Sequence, residues 1–352
     1  MKFLFQEPAG REARPSFAAV PEDIVFQVQK LLKEKIIAAE IVWGGYSPSA
    51  NFVATLGSRK KVFIKGTHPG QDAHGTQMLQ QEIDAYQTLP GIEEISPAYR
   101  GRVGDGREDG WMLAVFDYID TVPTLPWTRG KIAAVFELLA HLHFCGEKRL
   151  PGSLPAADEK NYVARFLRPE GGWLRIRNDK KIAEKFLTAF EDEDAGQRWL
   201  ASNLPELCKK QNKAHSLGGP VGIIHQDLRA DNILFDKSGR AYLVDWPNAC
   251  RGPVVMDLAG FLPAISAEST YDAETLLDIY EKTAGAKIRR EDLAIALASF
   301  SGHLADNVYR AVPAKLPRLR WIQKTTLWAM LQWAPVLMDT APPPRFKGLR
   351  RD

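Results

Sequence analysis

Between Ile223 and Asp245 the chain reads IIHQDLRADNILFDKSGRAYLVD. Asp227 is followed five positions later by Asn232, and Asp245 comes thirteen positions after that. Apolar strand-like runs lie on both sides: Val221 to Ile224, Ile233 to Phe235 and Ala241 to Val244. One carboxylate can accept the proton of an attacking hydroxyl. A neutral amide oxygen and a second carboxylate are the hard oxygen donors that Mg²⁺ prefers. Transfer of a γ-phosphoryl group asks little more of a protein than positioning, metal and charge stabilisation. A tight loop would place Asp227 and Asn232 on one surface, and a hairpin closed at Lys237-Ser238-Gly239 would return Asp245 beside them. An isolated Asp-x4-Asn is common, whereas His-x-Asp-x4-Asn-x12-Asp between apolar strands is much rarer.

The segments HQDLRADNILFD and LVDWPNACRGPVVMDLAGF resemble the catalytic core of the aminoglycoside phosphotransferase and choline kinase superfamily, small-molecule kinases with a protein-kinase-like fold. The matching positions are His225, Asp227, Asn232, Asp245-Trp246, Gly252 and Asp257-Leu258. The resemblance implies that Asp227 is the catalytic base, that Asn232 and Asp245 bind magnesium, and that His225 and Asp257 brace the loop. For His225 a structural role is expected, because Asp227 already supplies the base. Where many members carry glycine after the histidine, this chain has Gln226.

The likeness extends upstream. GGYSPSANFV resembles the family's phosphate-binding turn, so backbone N–H groups around Gly45, Tyr46, Ser47 and Ser49 would cradle phosphates. Lys65 ends an apolar strand where such kinases keep a phosphate-binding lysine, and Glu82, seventeen residues on, would pair with it. Met112 to Tyr118 resembles the strand leading into the hinge, which puts Phe116 and Tyr118 beside the adenine. The implied donor is ATP with Mg²⁺, and the hinge does not settle GTP against ATP. No Ala-Pro-Glu segment follows Asp245, which disfavours a protein kinase. A catalytically silent nucleotide-binding scaffold is the other alternative, and the retention of the base argues against it.

These residues need elements to hold them. Ile24, Val25, Val28, Leu31 and Leu32 predict a helix over 21–37. Strands are expected over 41–43, 52–56 and 62–65, a helix over 76–89, and two strands around the turn at 103–106, the second running to 119. A helix is expected over 131–143, a mainly helical stretch over 150–215, and another over 257–335. The fold class is therefore α+β and bilobal, with a small β-rich lobe over 1–121 (including an irregular N-terminal arm) and a larger helical lobe over 122–352. The tail from Pro342 is expected to be loosely held.

Bulk properties narrow the setting. A length of 352 residues exceeds one small core. Formal net charge is only +3 and no block of like charge suggests a nucleic-acid arm. The start, MKFLFQEPAGREARP, lacks a secretory core. No run approaches the ~18 apolar residues of a membrane span. Cys145, Cys208 and Cys250 have no CxxC spacing, so they form neither a zinc site nor a disulfide framework. A cytoplasmic location is expected, and no sequence feature sets an oligomeric state.

The expected acceptor is a hydroxyl of a small molecule: a sugar, amino sugar, amino alcohol or antibiotic. Residues 301–352 hold nine Lys and Arg against three Asp and Glu, which would repel a polycation if they lined the cleft. The acidic run Glu191 to Asp194 pulls the other way. Trp321, Trp328 and Trp333 form a stripe expected to pack in the core, with a sugar-stacking platform as the alternative.

Overall fold

The structure is a computed structural model and describes residues 3–5, 7–68, 73–89, 91–106, 110–144 and 171–351. Its first part is built on a five-stranded antiparallel sheet. After a short strand β1 (Phe3–Phe5) come helix α1 (Glu22–Leu32) and strands β2 (Ile36–Ile41), β3 (Ala50–Leu56) and β4 (Lys61–Thr67). Helices α2 (Ala73–Thr88) and α3 (Ile92–Ile95) follow, then β5 (Tyr99–Val103) and β6 (Met112–Asp117). The strand order is β2-β3-β4-β6-β5. β6 lies between β4 and β5, so Met112 to Phe116 are all buried, which explains their unbroken apolar run.

Side-chain alternation divides this sheet into two faces. Leu113 and Val115 join Phe52 and Ile64 against Ile24 and Val28 of α1. Met112, Ala114 and Phe116 face Leu79 and Ile83 of α2. Phe63 packs on that second face, so Lys65, two residues further along β4, shares it. On α2, Glu82 lies three residues after Leu79 and next to Ile83, the same buried side of the helix.

The helix expected over 21–37 stops at Leu32. Lys33 adopts a left-handed conformation (φ 56°) and its amide closes back on Gln29 and Lys30. The β-branched pair Ile36-Ile37 goes instead to β2, where Ile36 pairs with Leu56. The first strand accordingly lies earlier than 41–43.

The second part opens with β7 (Thr121–Val122) and α4 (Arg129–Phe144). The described chain resumes with α5 (Gly172–Asn178), α6 (Lys180–Leu187) and α7 (Glu193–Gln211), followed by β8 (Val221–Ile224), β9 (Ile233–Asp236), β10 (Ala241–Leu243) and β11 (Cys250–Pro253). Helices α8 (Val255–Glu268), α9 (Ala273–Ala284), α10 (Arg290–Ala305) and α11 (Leu319–Leu337) complete the core before β12 (Leu349–Arg351). α8 is buried almost all round, from Val255 to Pro263 and at Ile265, and forms the centre of this part. No helix among the described residues is long and apolar enough to cross a membrane. Cys208 and Cys250 are buried free thiols, while Cys145 and the expected helical stretch over 150–170 lie outside the described residues.

The tail is docked, against the expectation that it is loosely held, while residues 7–16 of the N-terminal arm are irregular as expected. Phe346 is fully buried, edge-on to Phe190 at 4.9 Å and to Trp328 at 5.3 Å. The Lys347 amide donates to Ala189 O at 2.8 Å, and β12 pairs antiparallel with β1. The acidic run and the basic tail meet each other: Arg345 lies 3.6 Å from Glu191 and Lys347 lies 3.0 Å from Glu193. Removing the Phe346 ring leaves a cavity between two aromatic clusters. Phe346→Ala is expected to cost about 3–5 kcal/mol, read as a lower urea midpoint at unchanged slope.

Candidate active site

The loop after β8 hangs from one buried carboxylate. Asp257, near the start of α8, accepts from the His225 amide (Oδ2, 2.8 Å) and from the Gln226 amide (Oδ1, 2.7 Å). Its Oδ2 also accepts from His143 Nε2 at 3.1 Å. His143 Nδ1 is therefore left to accept from the Tyr280 hydroxyl, 2.6 Å away. Burial, and then the charge on Asp257, push the Tyr280 hydroxyl well above its ordinary pKa, which keeps it a donor. Gly222 permits this packing, because a Cβ there would lie 2.0 Å from His143 O.

His225 is fully buried, its ring 4.6 Å from the Trp246 ring. Nε2 donates to Val244 O at 3.0 Å, while Nδ1 accepts from the Asp227 amide at 3.3 Å. Both ring nitrogens are thus occupied by backbone, and the imidazole is the neutral Nε2–H tautomer. Gln226 and Asp245 both sit in the left-handed region, with φ of 63° and 72°. Each costs roughly 1–2 kcal/mol of local strain. At position 226 a glycine would escape that cost, whereas the Gln226 side-chain amide meets Cys250 Sγ.

The hairpin of β9 and β10 returns the chain as the sequence requires, with Gly239 (φ 87°) at its turn. The Val244 amide donates to Asn232 O at 3.0 Å, which sets Asp245 next to Asn232. Asn232 Nδ2 donates to Asp227 O at 2.8 Å and to Asp227 Oδ2 at 3.2 Å. Arg229, from the same loop, lies 3.1 Å from Asp227 Oδ1 and grips Asp231. Burial raises the Asp227 carboxyl above its ordinary value; Arg229 opposes this, and Asp245 and Asp231 add to it.

Lys65 completes the cluster from the other side. Its Nζ is 2.5 Å from Glu82 Oε2 and 2.6 Å from Asp245 Oδ1. Burial pulls the Lys65 ammonium down, but Asp245 and Glu82 together outweigh it and hold the pKa above normal. For Asp245, burial pushes up, and Lys65 with Arg229 more than reverses it.

The turn between β2 and β3 carries Gly45, Tyr46, Ser47 and Ser49. Gly45 has φ 70°, and Ser47 Oγ donates to Ser49 Oγ at 2.9 Å. Two guanidinium groups lie over the Tyr46 ring, Arg229 at 5.0 Å and Arg318 at 4.9 Å, and the ring is 6.3 Å from that of Trp321. The tryptophan stripe therefore divides. Trp328 and Trp333 are core residues, and Trp333 Nε1 donates to Glu274, whereas Trp321 is half-buried beside Tyr46.

Phe116 and Tyr118 join this cluster through no described contact. The Phe116 ring is buried on Tyr86 (4.9 Å) and Tyr99 (5.6 Å), and Lys61 Nζ lies 5.4 Å over the Tyr118 ring. Sequence reasoning did not single out His143, Tyr280, Arg14, Arg229 or Arg318. Arg229 had a legible signal, since it sits between Asp227 and Asn232; the others are joined to the site only by tertiary packing.

Comparison with known proteins identifies the family and the fold. The profile of the phosphotransferase enzyme family matches residues 39–294. A homoserine kinase of Afipia carboxidovorans is 30% identical over 191 residues, 53% of this chain and 52% of that protein. A kinase-like protein of Caenorhabditis elegans is 26% identical over 196 residues, 53% of this chain and 50% of that one. The chain thus spans about half the length of the curated relatives it matches. Among solved structures, an AMP-bound spectinomycin phosphotransferase superposes with a TM-score of 0.57 at 15% identity, covering 87% of this chain and 94% of its own. A choline kinase of Streptococcus pneumoniae gives 0.53 at 18% identity, covering 88% and 98%. At such identities the likeness is one of fold, and it is the protein-kinase-like fold of both.

Asp257 makes a sharp test of the site's support. Asp257→Ala strands two backbone amides and His143, and is expected to cost about 3–5 kcal/mol, measured by urea denaturation. A loss below about 1 kcal/mol would show that the loop has other sufficient supports.

Proposed function

The chain belongs to the phosphotransferase enzyme family, and from that premise we propose that it is a small-molecule kinase moving the γ-phosphoryl group of ATP, with Mg²⁺, to a hydroxyl. One observation carries the reading: Lys65 Nζ touches Glu82 and Asp245 at once, beside the Asp227–Asn232 pair. Four carboxylates (Glu82, Asp227, Asp231, Asp245) stand in this linked cluster against two cations, Lys65 and Arg229. That excess of negative charge is the electrostatic reason for a divalent cation.

The donor set fits magnesium. Asp245 Oδ1 is taken by Lys65, but Asp245 Oδ2 and Asn232 Oδ1 accept no hydrogen bond among the described residues. Among those residues no group of three or more His, Cys, Asp or Glu is arranged to hold a metal. One carboxylate plus one amide oxygen is the small protein share that Mg²⁺ takes when phosphate oxygens supply the rest. When bound, the ion neutralises charge on the transferred group.

The chain's own residues do the remainder. Lys65, fixed by Glu82, addresses the phosphates, and the amides of Gly45 and Tyr46 with the hydroxyls of Ser47 and Ser49 surround them. Asp227 takes the acceptor's proton as the acceptor oxygen displaces ADP from phosphorus. Arg229 favours the ionised form of Asp227 against the burial that raises its pKa. His225 and Asp257 hold the loop and move no proton. Phe116 and Tyr118 border the base through the backbone of the strand end, and the two lobes meet near residue 121. Relatives named for homoserine, choline and spectinomycin support a small hydroxyl-bearing acceptor. We place the reaction in the cytoplasm, where its donor is found.

ATP consumption against a library of sugars, amino alcohols and antibiotics, with GTP run beside ATP, identifies the acceptor. Asp227→Asn is expected to lower kcat by about 10²–10⁴-fold with MgATP affinity retained in calorimetry. Retained turnover would remove Asp227 as the base. Arg229 favours the ionised form of Asp227, so Arg229→Ala raises the Asp227 pKa further. The acid limb of kcat/KM is therefore expected to move to higher pH; an unmoved limb would assign it to another group.

A further inference from the structure

The carbonyls of the turn between β2 and β3 are held by guanidinium groups from distant parts of the chain. Arg14 donates from Nη1 to Val42 O and from Nη2 to Gly44 O. It also donates to Ser47 O from Nε at 3.2 Å and from Nη2 at 3.1 Å. Arg318, at the N-terminal cap of α11, donates from Nη2 to Gly45 O at 2.9 Å. Arg318 is itself fixed by the arm: Nε lies 3.0 Å from Oε1 of Glu12, a carboxylate only 2% exposed, and Nη1 lies 2.9 Å from Glu7 Oε1.

In a trans peptide the C=O and N–H point in opposite directions. Tying back the carbonyls of Gly44 and Gly45 therefore turns the amides of Gly45 and Tyr46 to the other side. Among the described residues neither amide donates a hydrogen bond. The left-handed Gly45 (φ 70°) between these two peptides belongs to the backbone of anion-binding nests. The nearest atom to a Cβ built on Gly45 is Arg14 Nη2, at 3.9 Å. One guanidinium thus stands directly behind the turn.

We propose that Arg14 and Arg318 are positioning residues that brace this turn from behind, presenting the Gly45 and Tyr46 amides to the phosphates of the nucleotide. The identity of that anion rests on the kinase reading; the brace itself rests on the hydrogen bonds. Arginine suits the position because its planar fork reaches three carbonyls at once, which a lysine ammonium cannot do in that geometry. Its charge does not leave when the site fills, since guanidinium stays protonated. Burial lowers the Arg14 pKa from its ordinary value, and the charges of Glu12 and Asp245 act against that. The N-terminal arm, outside the matched residues 39–294, becomes part of the nucleotide site.

Calorimetry on the full chain with three probes tests this: MgATP, inorganic tripolyphosphate and adenosine. Arg14→Ala is expected to weaken MgATP and tripolyphosphate by about tenfold or more while adenosine affinity and melting temperature hold. Arg14→Lys is expected to recover only part of the loss, and it serves as the folded comparison if the alanine variant melts early. Unchanged MgATP affinity in folded Arg14→Ala, or an equal loss for adenosine, would overturn the brace. Wild-type binding of tripolyphosphate that depends on Arg14, with no acceptor phosphorylated, upholds the brace and sinks the kinase reading. Absence of any tripolyphosphate binding by the wild type would overturn the brace.

Discussion

One ammonium, Lys65 Nζ, joins the two parts of this molecule. It rises from a strand of the five-stranded sheet, meets Glu82 from the helix on that sheet, and meets Asp245 from the hairpin loop of the helical part. Taking three charges out of water is expensive, and a buried ion pair is weak evidence for stability on its own. The opposed pKa directions of Lys65 and Asp245 express the same balance: burial disfavours each charge, and each is kept by the other. Such a cluster of perturbed charges is what a site for a charged ligand looks like. The other features of the site serve to hold Glu82 and Asp245 each within 3 Å of Lys65 Nζ.

The first requirement is a rigid catalytic loop. Asp257 satisfies it from inside α8, a helix with almost no solvent face. An uncompensated carboxylate could not remain there; this one is answered by two backbone amides and the His143–Tyr280 pair. The loop pays for its shape with left-handed Gln226 and Asp245. Residues so strained persist where the surroundings over-determine them, and here the buried hydrogen bonds to Asp257, Val244 and Asn232 do so.

The second requirement concerns charge beyond the cluster. The basic C-terminal segment suggests a field that would turn away polycations, yet much of its charge is spent locally. Arg318 pairs with Glu12 and Glu7, Arg310 with Asp306, Arg345 with Glu191 and Lys347 with Glu193. The acidic run and the basic tail therefore say little about the acceptor. They say that residues 191–193 and 345–347 need each other, and that the tail closes over a buried Phe346.

What the sequence determined alone was local in character. Asp227, Asn232 and Asp245 fall within nineteen consecutive residues, their flanking strands are short and apolar, and the turn that reunites them is marked by Gly239. Spacing and alternation suffice there, because strand parity fixes which side chains share a face; Lys65 is singled out instead by the resemblance of its strand to that of such kinases. The helix expected to reach Ile37 failed at Lys33 for a non-local reason: Ile36 and Ile37 had a sheet edge to join. Tertiary structure alone decided that Arg14 and Arg318 lie behind the phosphate turn, that His143 and Tyr280 support Asp257, and that Trp321 leaves the core stripe to meet Tyr46. These contacts join residues far apart in the chain. No periodicity encodes them, since a guanidinium can reach a carbonyl from any point that packing brings near.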